Sequence, residues 1–343
     1  MTAAPRNETV PAVVSRAGGP LDGPDSLVDA RIPAPGAPRG RDLLVEVRAV
    51  SVNPVDVKVR ASDNRDGTDR ILGWDASGTV LAVGEDATLF RPGDEVFYAG
   101  AIERPGSYAA RQLVDERIVG PKPSSLTHAQ AAALPLTGIT AWESLFDKLR
   151  LGEESSGTLL VLGAAGGVGS ILIQLAKALS DVDVLATASR PESREWVRSL
   201  GADAVVDHSS DELARQILEA APGGVDWVFT PQSRGRIPLF AEVVRPFGEI
   251  VAIDDEEDLE LLALKGKALS WHWELMFTRP RYGYGLETQH RALTRIAELV
   301  DAGRVRTTAT TTLGPIGAEA LREAHRIVET GHAVGKVVVA NEA

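Results

Sequence analysis

Residues 158–179 read TLLVLGAAGGVGSILIQLAKAL. A run of β-prone apolar residues breaks into a glycine-rich turn and then into an apolar helix. The turn is Ala164-Ala165-Gly166-Gly167-Val168-Gly169, the G-x-G-x-x-G pattern with Ala at its first glycine. Gly166 lets the backbone approach a pyrophosphate, and Gly169 lets helix and strand pack closely. The free N–H groups at the start of the helix then face the phosphates. Alone the pattern is weak. Here a strand precedes it, an amphipathic helix follows, and further strand–helix steps come after, the context that a dinucleotide site requires.

The next strand end selects the dinucleotide, because an acid there takes the ribose 2′-hydroxyl of NAD. The sequence is LATASRPESREW (185–196), with no acid at the strand end. Ser189 and Arg190 stand there, and Arg194 follows one helical turn on. Guanidinium groups bind phosphate and a carboxylate would repel it, so the expected cofactor is NADP (NADPH). Ser189-Arg190-Pro191-Glu192 also reads as a capping box with Ser189 as N-cap, which is compatible with an anion site.

Working outward, strands and helices alternate from about residue 128 onward. VDVLATA, AVVDH, VDWVFT and GEIVAID read as strands, and KALSWHW (267–273) as a last, edge strand. PESREWVRSL, DELARQILEAA and RIPLFAEVV read as helices. This alternation builds a doubly wound parallel sheet. THAQAAALPLTGITAWESLFDKL (127–149) has Thr127 as N-cap and helical spacing. The first third is different: TVPAVVS, LLVEVRAVSV, SGTVLAVG, DEVFYAG and SYAARQLV are short strands punctuated by turns such as RPGD, which gives a β-rich domain. The chain closes with two helices, QHRALTRIAELVDAG and AEALREAHRIVETG, and the strand KVVVA.

The 343 residues carry 36 Lys+Arg against 48 Asp+Glu, a net charge of −12, which argues against nucleic acid as a partner. There is no cysteine, hence no disulfide and no thiolate metal site. Residues 1–8 read as a loose leader rather than a secretory signal. No apolar run is long enough to span a bilayer, so the expectation is a cytoplasmic protein without a membrane partner.

These stretches, with SVNPVDVKVR (51–60), LGWDASGTV (72–80), FRPGDEVFYAG (90–100) and WELMFTR (273–279), resemble the medium-chain dehydrogenase/reductase superfamily. The resemblance is to its zinc-independent quinone oxidoreductase branch, among the "zinc-type alcohol dehydrogenase-like" quinone or enone reductases. It implies a mixed α/β fold: a GroES-like catalytic domain from residues 1–128 and 276–343, with a Rossmann domain, 129–275, inserted. It further implies an active site in the cleft between them and a homodimer paired through the edge strand near 267–273.

The zinc-dependent branch places a histidine ligand in a Gly-His-Glu segment. The matching residues here are Gly73-Trp74-Asp75, and Asn53 stands where the first Cys ligand would be. None of the six histidines pairs at a ligand spacing, so no metal is expected. Without a Lewis acid, alcohol oxidation loses its alkoxide stabiliser. Hydride addition to a quinone or an α,β-unsaturated carbonyl needs only a donor at the carbonyl oxygen.

The resemblance puts Asn53 near the nicotinamide and has Asp56 hold this segment, although Asp56 also reads as a turn former. Lys58 occupies a position that faces substrate in relatives; a solvated strand lysine is the other reading. Thr140 matches a threonine near the nicotinamide ring, against simple helix packing. His208 stands where relatives place a residue against the 2′-phosphate, against a surface histidine. Lys336 approaches the cofactor from the returning tail, or is merely solvated. Trp271, Trp273, Phe277 and Tyr282 line a substrate or dimer surface, or pack. Two other activities remain open: an enoyl-thioester reductase, and an NADPH-binding sensor or structural protein without turnover.

Overall fold

The computed structural model describes residues 8–62 and 67–341, so the expected leader lies outside the described residues except for Glu8. The chain divides into two compact units, Met1–Ile139 with Phe277–Ala343, and Thr140–Met276. The first boundary falls after Ile139, where the sequence suggested 128. The intervening helix keeps to the first unit because Ala129, Ala132 and Ala133 pack with Ala49, Val338 and Ala340.

The first segment forms strands β1 (Thr9–Ser15), β2 (Val28–Pro33), β3 (Asp42–Val52), β4 (Arg70–Ile71), β5 (Ala76–Val83), β6 (Glu95–Tyr98), β7 (Arg111–Asp115) and β8 (Val119–Pro121). Helix α1 (Pro54–Ala61) follows Asn53, so NPVDVK is helical and Lys58 does not lie on a strand. The expected helix over 127–149 is three pieces. α2 (His128–Ala132) has Thr127 as N-cap, its side chain accepting from the Gln130 N–H. α3 (Pro135–Trp142) restarts at Pro135, which lacks the N–H that a continuing helix needs. A π-helical turn, Glu143–Lys148, completes it.

The second unit contains β9 (Ser156–Val161), α4 (Gly167–Leu179), β10 (Asp181–Thr187), α5 (Pro191–Ser199), β11 (Ala204–Val206), α6 (Leu213–Ala220), β12 (Val225–Thr230), α7 (Ile237–Val243), β13 (Val244–Ala252) and β14 (Ser270–Trp273). The edge strand is shorter than expected, since Leu261–Lys267 is a 3-10 helix. The strand order is β11-β10-β9-β12-β13-β14, every pair parallel. In chain order this is 3-2-1-4-5-6, the Rossmann arrangement, with its reversal between β9 and β12. Leu159, Leu160 and Val161 are fully buried, as strands covered on both faces must be. Each contributes about 1.5–3 kcal/mol by leaving water.

The returning segment adds α8 (Thr278–Tyr282), α9 (Glu287–Asp301), β15 (Ala309–Leu313), α10 (Ala318–Glu329) and β16 (Lys336–Ala340). In the first unit these strands complete a seven-stranded sheet, β15-β16-β3-β5-β6-β8, with β7 also on β3; β2-β1-β4 form a second sheet. β16 pairs antiparallel with β3, Val337 opposite Val52, which brings Lys336 to the end of β3 where Asn53 follows. Among the described residues no helix is long and apolar enough to cross a membrane.

Candidate functional site

The glycine turn lies where β9 passes into α4, with Gly166 as the N-cap. The Ala at the first motif position is explained by its neighbour: Gly163 has φ +59°, the left-handed region, and its carbonyl accepts from Gly166 N–H at 3.0 Å. A Cβ on Gly169 would lie 2.6 Å from Ala164 Cα, so only glycine allows this helix–strand approach. Ala164 is itself fully buried. At Gly166 a Cβ would meet just one atom within 4 Å, the Gly163 carbonyl oxygen at 3.3 Å, which leaves the outer side of the turn open. Gly167 and Val168 begin the helix, whose first N–H groups have no intrahelical acceptor. These residues fit a pyrophosphate.

At the end of β10, Thr187 Oγ1 is buried without a hydrogen-bond partner. Ser189 Oγ and His208 Nε2 are 3.5 Å apart. Partial burial of the His208 ring, and the Arg236 and Arg190 guanidinium groups, lower its pKa against the pull of Asp207. The loops leaving the C-terminal ends of β10 and β12 thus bring the Arg190 and Arg236 guanidinium groups near His208, which follows β11. Arg236, the N-cap residue of α7, was not anticipated. The available signal was an arginine soon after a parallel strand's C-terminal end. One expectation needs correction. Arg190, not Ser189, is the N-cap of α5, and no side chain caps it. Arg194 donates to the carbonyls of Ala188 and Val205, at 3.0 and 3.2 Å, so it ties the ends of β10 and β11 together.

In the first unit, Asp75 organises a buried polar cluster. Its Oδ2 accepts from Ser51 Oγ at 2.7 Å, Asn53 Nδ2 at 2.7 Å and Lys336 Nζ at 3.2 Å; its Oδ1 accepts from Leu136 N–H at 2.7 Å. Lys336 also donates to the Val52 carbonyl at 2.9 Å and to Asn53 Oδ1. Only 4% exposed, Lys336 is not a solvated lysine, and its donors are engaged within the protein. Burial lowers its pKa, opposed by Asp75 and Asp56. Asp56 Oδ2 accepts from Asn53 N–H at 2.6 Å, so the carboxyl caps α1 rather than forming a turn. Burial pushes Asp56 up to about 7, while the Asn53 N–H and Lys336 pull it down.

Trp74 fills the position of the histidine ligand. It is 3% exposed, stacks edge-on with Phe277 at 6.1 Å, and its Nε1 donates to the Ala101 carbonyl at 3.3 Å. An indole N–H has no lone pair for a metal, and both heteroatoms of the Asn53 amide are committed to Asp75 and Lys336. Among the described residues no three His, Asp or Glu gather to hold a metal ion. This donor set does not fit zinc.

Lys58 is exposed in the last turn of α1. Thr140 is buried on α3. Of the aromatics, Trp271 packs against Phe240 and Trp273, at 6.3 and 5.5 Å, and Phe277 is buried. Trp273 is half-exposed, and Tyr282 lies largely in solvent.

One unit carries a parallel dinucleotide-type sheet and the other a mainly antiparallel sheet. Residues 39–124 match the family described as "Alcohol dehydrogenase GroES-like domain", and residues 200–339 match "Zinc-binding dehydrogenase". The chain is 40% identical over 309 residues to a zinc-type alcohol dehydrogenase-like protein of Staphylococcus aureus (strain MSSA476), covering 88% of this chain and 91% of that one. It is 31% identical over 307 residues to the 2-methylene-furan-3-one reductase of Solanum lycopersicum, covering 87% and 71%. A solved protein of Rhizobium etli CFN 42, named for the zinc-dependent alcohol dehydrogenases, superposes with a TM-score of 0.93 at 49% identity, covering 98% and 99%. The chain belongs to the medium-chain dehydrogenase/reductase superfamily and is an oxidoreductase of that family.

Proposed function

We propose that this protein uses NADPH to reduce quinones or α,β-unsaturated carbonyl compounds, without a metal ion. The observation that carries the reading is the acid-free end of β10, where Ser189, Arg190, His208 and Arg236 converge beside the glycine turn. The backbone N–H groups of Gly167, Val168 and Gly169 hold the pyrophosphate. Ser189, Arg190 and His208 hold the 2′-phosphate, and Arg194 keeps the two strand ends in register beneath it. NADPH, when bound, supplies the hydride. Trp74 in place of a metal ligand restricts the substrate to one whose carbonyl is activated by hydrogen bonding. Asn53 is held rigid by Asp75 and Lys336, Asp56 fixes the start of α1, and Thr140 flanks the nicotinamide. Lys58 donates to the oxygen on which charge develops. The name of the tomato relative describes a ketone conjugated to a methylene group, which agrees with this substrate class. The half-exposed Trp273 on edge strand β14 suits a homodimer paired there, which sedimentation would detect.

The test follows NADPH oxidation with an enone, a quinone, an enoyl thioester and a matched saturated ketone. The enone or quinone should be reduced and the ketone barely touched. NADPH should bind at least ~10-fold more tightly than NADH, about 1.4 kcal/mol. Lys58→Ala should lower kcat more than it raises KM. Equal rates on enone and saturated ketone, or one zinc per chain by elemental analysis, would overturn the reading.

A further inference from the structure

Two carboxyl groups of the second unit are joined in a way that the proposed cofactor contacts leave unused. Glu274 is the residue after β14, and its N–H donates to the carbonyl of Ala252, the last residue of β13, at 3.0 Å. Trp273 and Leu275 are 47% and 48% exposed while Glu274 is 5% exposed, so the alternation along the strand turns this carboxyl inward. There it is hydrogen-bonded to Glu143, equally buried, the first residue of the π-helical turn. Oε1 of Glu274 has no hydrogen-bond partner.

A hydrogen bond between two carboxyls requires a proton, and two buried carboxylates in contact would repel. Burial, then the charge of Glu143, raise the pKa of Glu274 well above the usual range; Asp147 acts in the same sense and Lys148 opposes it. Beyond the adjoining end of β13, the Asp254 carboxylate is taken up by Ser233 N–H and Oγ, at 2.6 and 2.8 Å. Asp254 is thus engaged away from the glutamate pair.

The position of the pair gives it a role. Glu143 follows Thr140 by three residues on a continuous helical path, and Glu274 stands just past the C-terminal ends of β13 and β14. The glycine turn is at β9 and the cationic strand end at β10 and β11, on one side of the reversal. A dinucleotide laid across the reversal directs its nicotinamide half to the other side, toward the ends of β12 to β14. We propose that Glu143 and Glu274 form a one-proton latch that fixes the chain after β14 against the turn following Thr140, and so positions the nicotinamide half of the cofactor. The latch rests on the cofactor reading above; both glutamates are positioning residues and neither touches the reacting atoms.

Glu274→Gln and Glu143→Gln test it, because a glutamine amide donates to the remaining carboxylate without a shared proton. Without cofactor, thermal unfolding is followed from about pH 5 to about pH 9. A raised carboxyl pKa gives stability that is full below the unfolded value and lost as pH rises, so the wild type should fall relative to both variants. With cofactor, wild-type affinity for NADPH should weaken about threefold or more over that range relative to the Gln variants. Affinity for adenosine 2′,5′-bisphosphate, which carries only the adenine half, should be the same in all three proteins. Glu274→Leu, which cannot make the bond, should weaken NADPH at every pH and leave the bisphosphate unchanged. Parallel stability curves for wild type and Gln variants would overturn the latch, as would bisphosphate affinities that track those for NADPH. Failure of the wild type to bind either nucleotide would instead sink the cofactor reading, while the stability curves still judge the glutamate pair.

Discussion

Lys336 Nζ lies 3.2 Å from Asp75 Oδ2, with the two side chains 4% and 0% exposed. The pair joins the last strand of the first unit to the segment that carries Trp74. Removing one partner of a buried ion pair leaves an uncompensated charge, at a cost of roughly 3–5 kcal/mol. Lys336→Met should lower stability by that amount in chemical denaturation. Adding Asp75→Asn should recover part of the loss, because the charge left behind is then gone. A single variant as stable as wild type would mean that the ion pair is not formed in solution.

Arg190 and Arg194 looked alike in the sequence, one helical turn apart and both cationic. The structure separates them. Arg190 is an exposed N-cap residue, whereas Arg194 spans the carbonyls of Ala188 and Val205. Arg190→Ala should weaken NADPH and leave NADH nearly unchanged. Arg194→Ala should lower stability by about 1.5–3 kcal/mol, the range for hydrogen bonds from a charged donor, and weaken NADPH as well. Calorimetry with each nucleotide, beside thermal scans, distinguishes the two; identical behaviour of the variants would refute the separation.

What the sequence disclosed is local. The glycine turn, the strand–helix alternation and the acid-free end of β10 all depend on neighbours within about 30 residues, the span of one βαβ unit. Lys336 was ambiguous because its partner carbonyl at Val52 is 284 positions away and only the β16–β3 pairing unites them. The break at Pro135 was visible, but the alanine-rich run before it and the helical apolar spacing outweighed it. Ser189 offered a capping box, yet Pro191 took the first helical position and moved the cap to Arg190. The glutamate pair was unreadable, because a buried carboxyl looks like an exposed one until the chain is folded.

Asp56 introduces a pH dependence of its own. Burial raises it to about 7 from an ordinary value of 3.8. A raised carboxyl pKa gives stability that is complete below about pH 4 and declines until pH passes about 7. The difference corresponds to something on the order of 4 kcal/mol at 1.36 kcal/mol per unit. Asp56→Asn retains an oxygen to accept the Asn53 N–H and has no charge to bury. Its stability should therefore vary less than wild type between pH 4 and pH 7, as urea denaturation at a series of pH values would show. A variant that follows the wild-type curve throughout would place the titration elsewhere.

Phe247 adopts φ +64° although it is not glycine, and it is 76% exposed. It lies where the pairing of β13 with β12 jumps from Val244 to Glu249, so residues 245–248 bulge out of the ladder. For a residue with a Cβ the left-handed region costs roughly 1–2 kcal/mol, and the exposed ring returns little by burial. Phe247→Gly should remove that strain. It also loosens the unfolded chain, which offsets about half of the gain, for a net stabilisation of about 0.5–1 kcal/mol. Phe247→Ala is the control: it deletes the ring and keeps the Cβ, so it should not reproduce the gain. The readout is the denaturation midpoint at constant slope, which isolates stability from changes in the unfolded state's compactness. If the alanine variant were stabilised as much as the glycine variant, the ring and not the backbone angle would be the source of the effect.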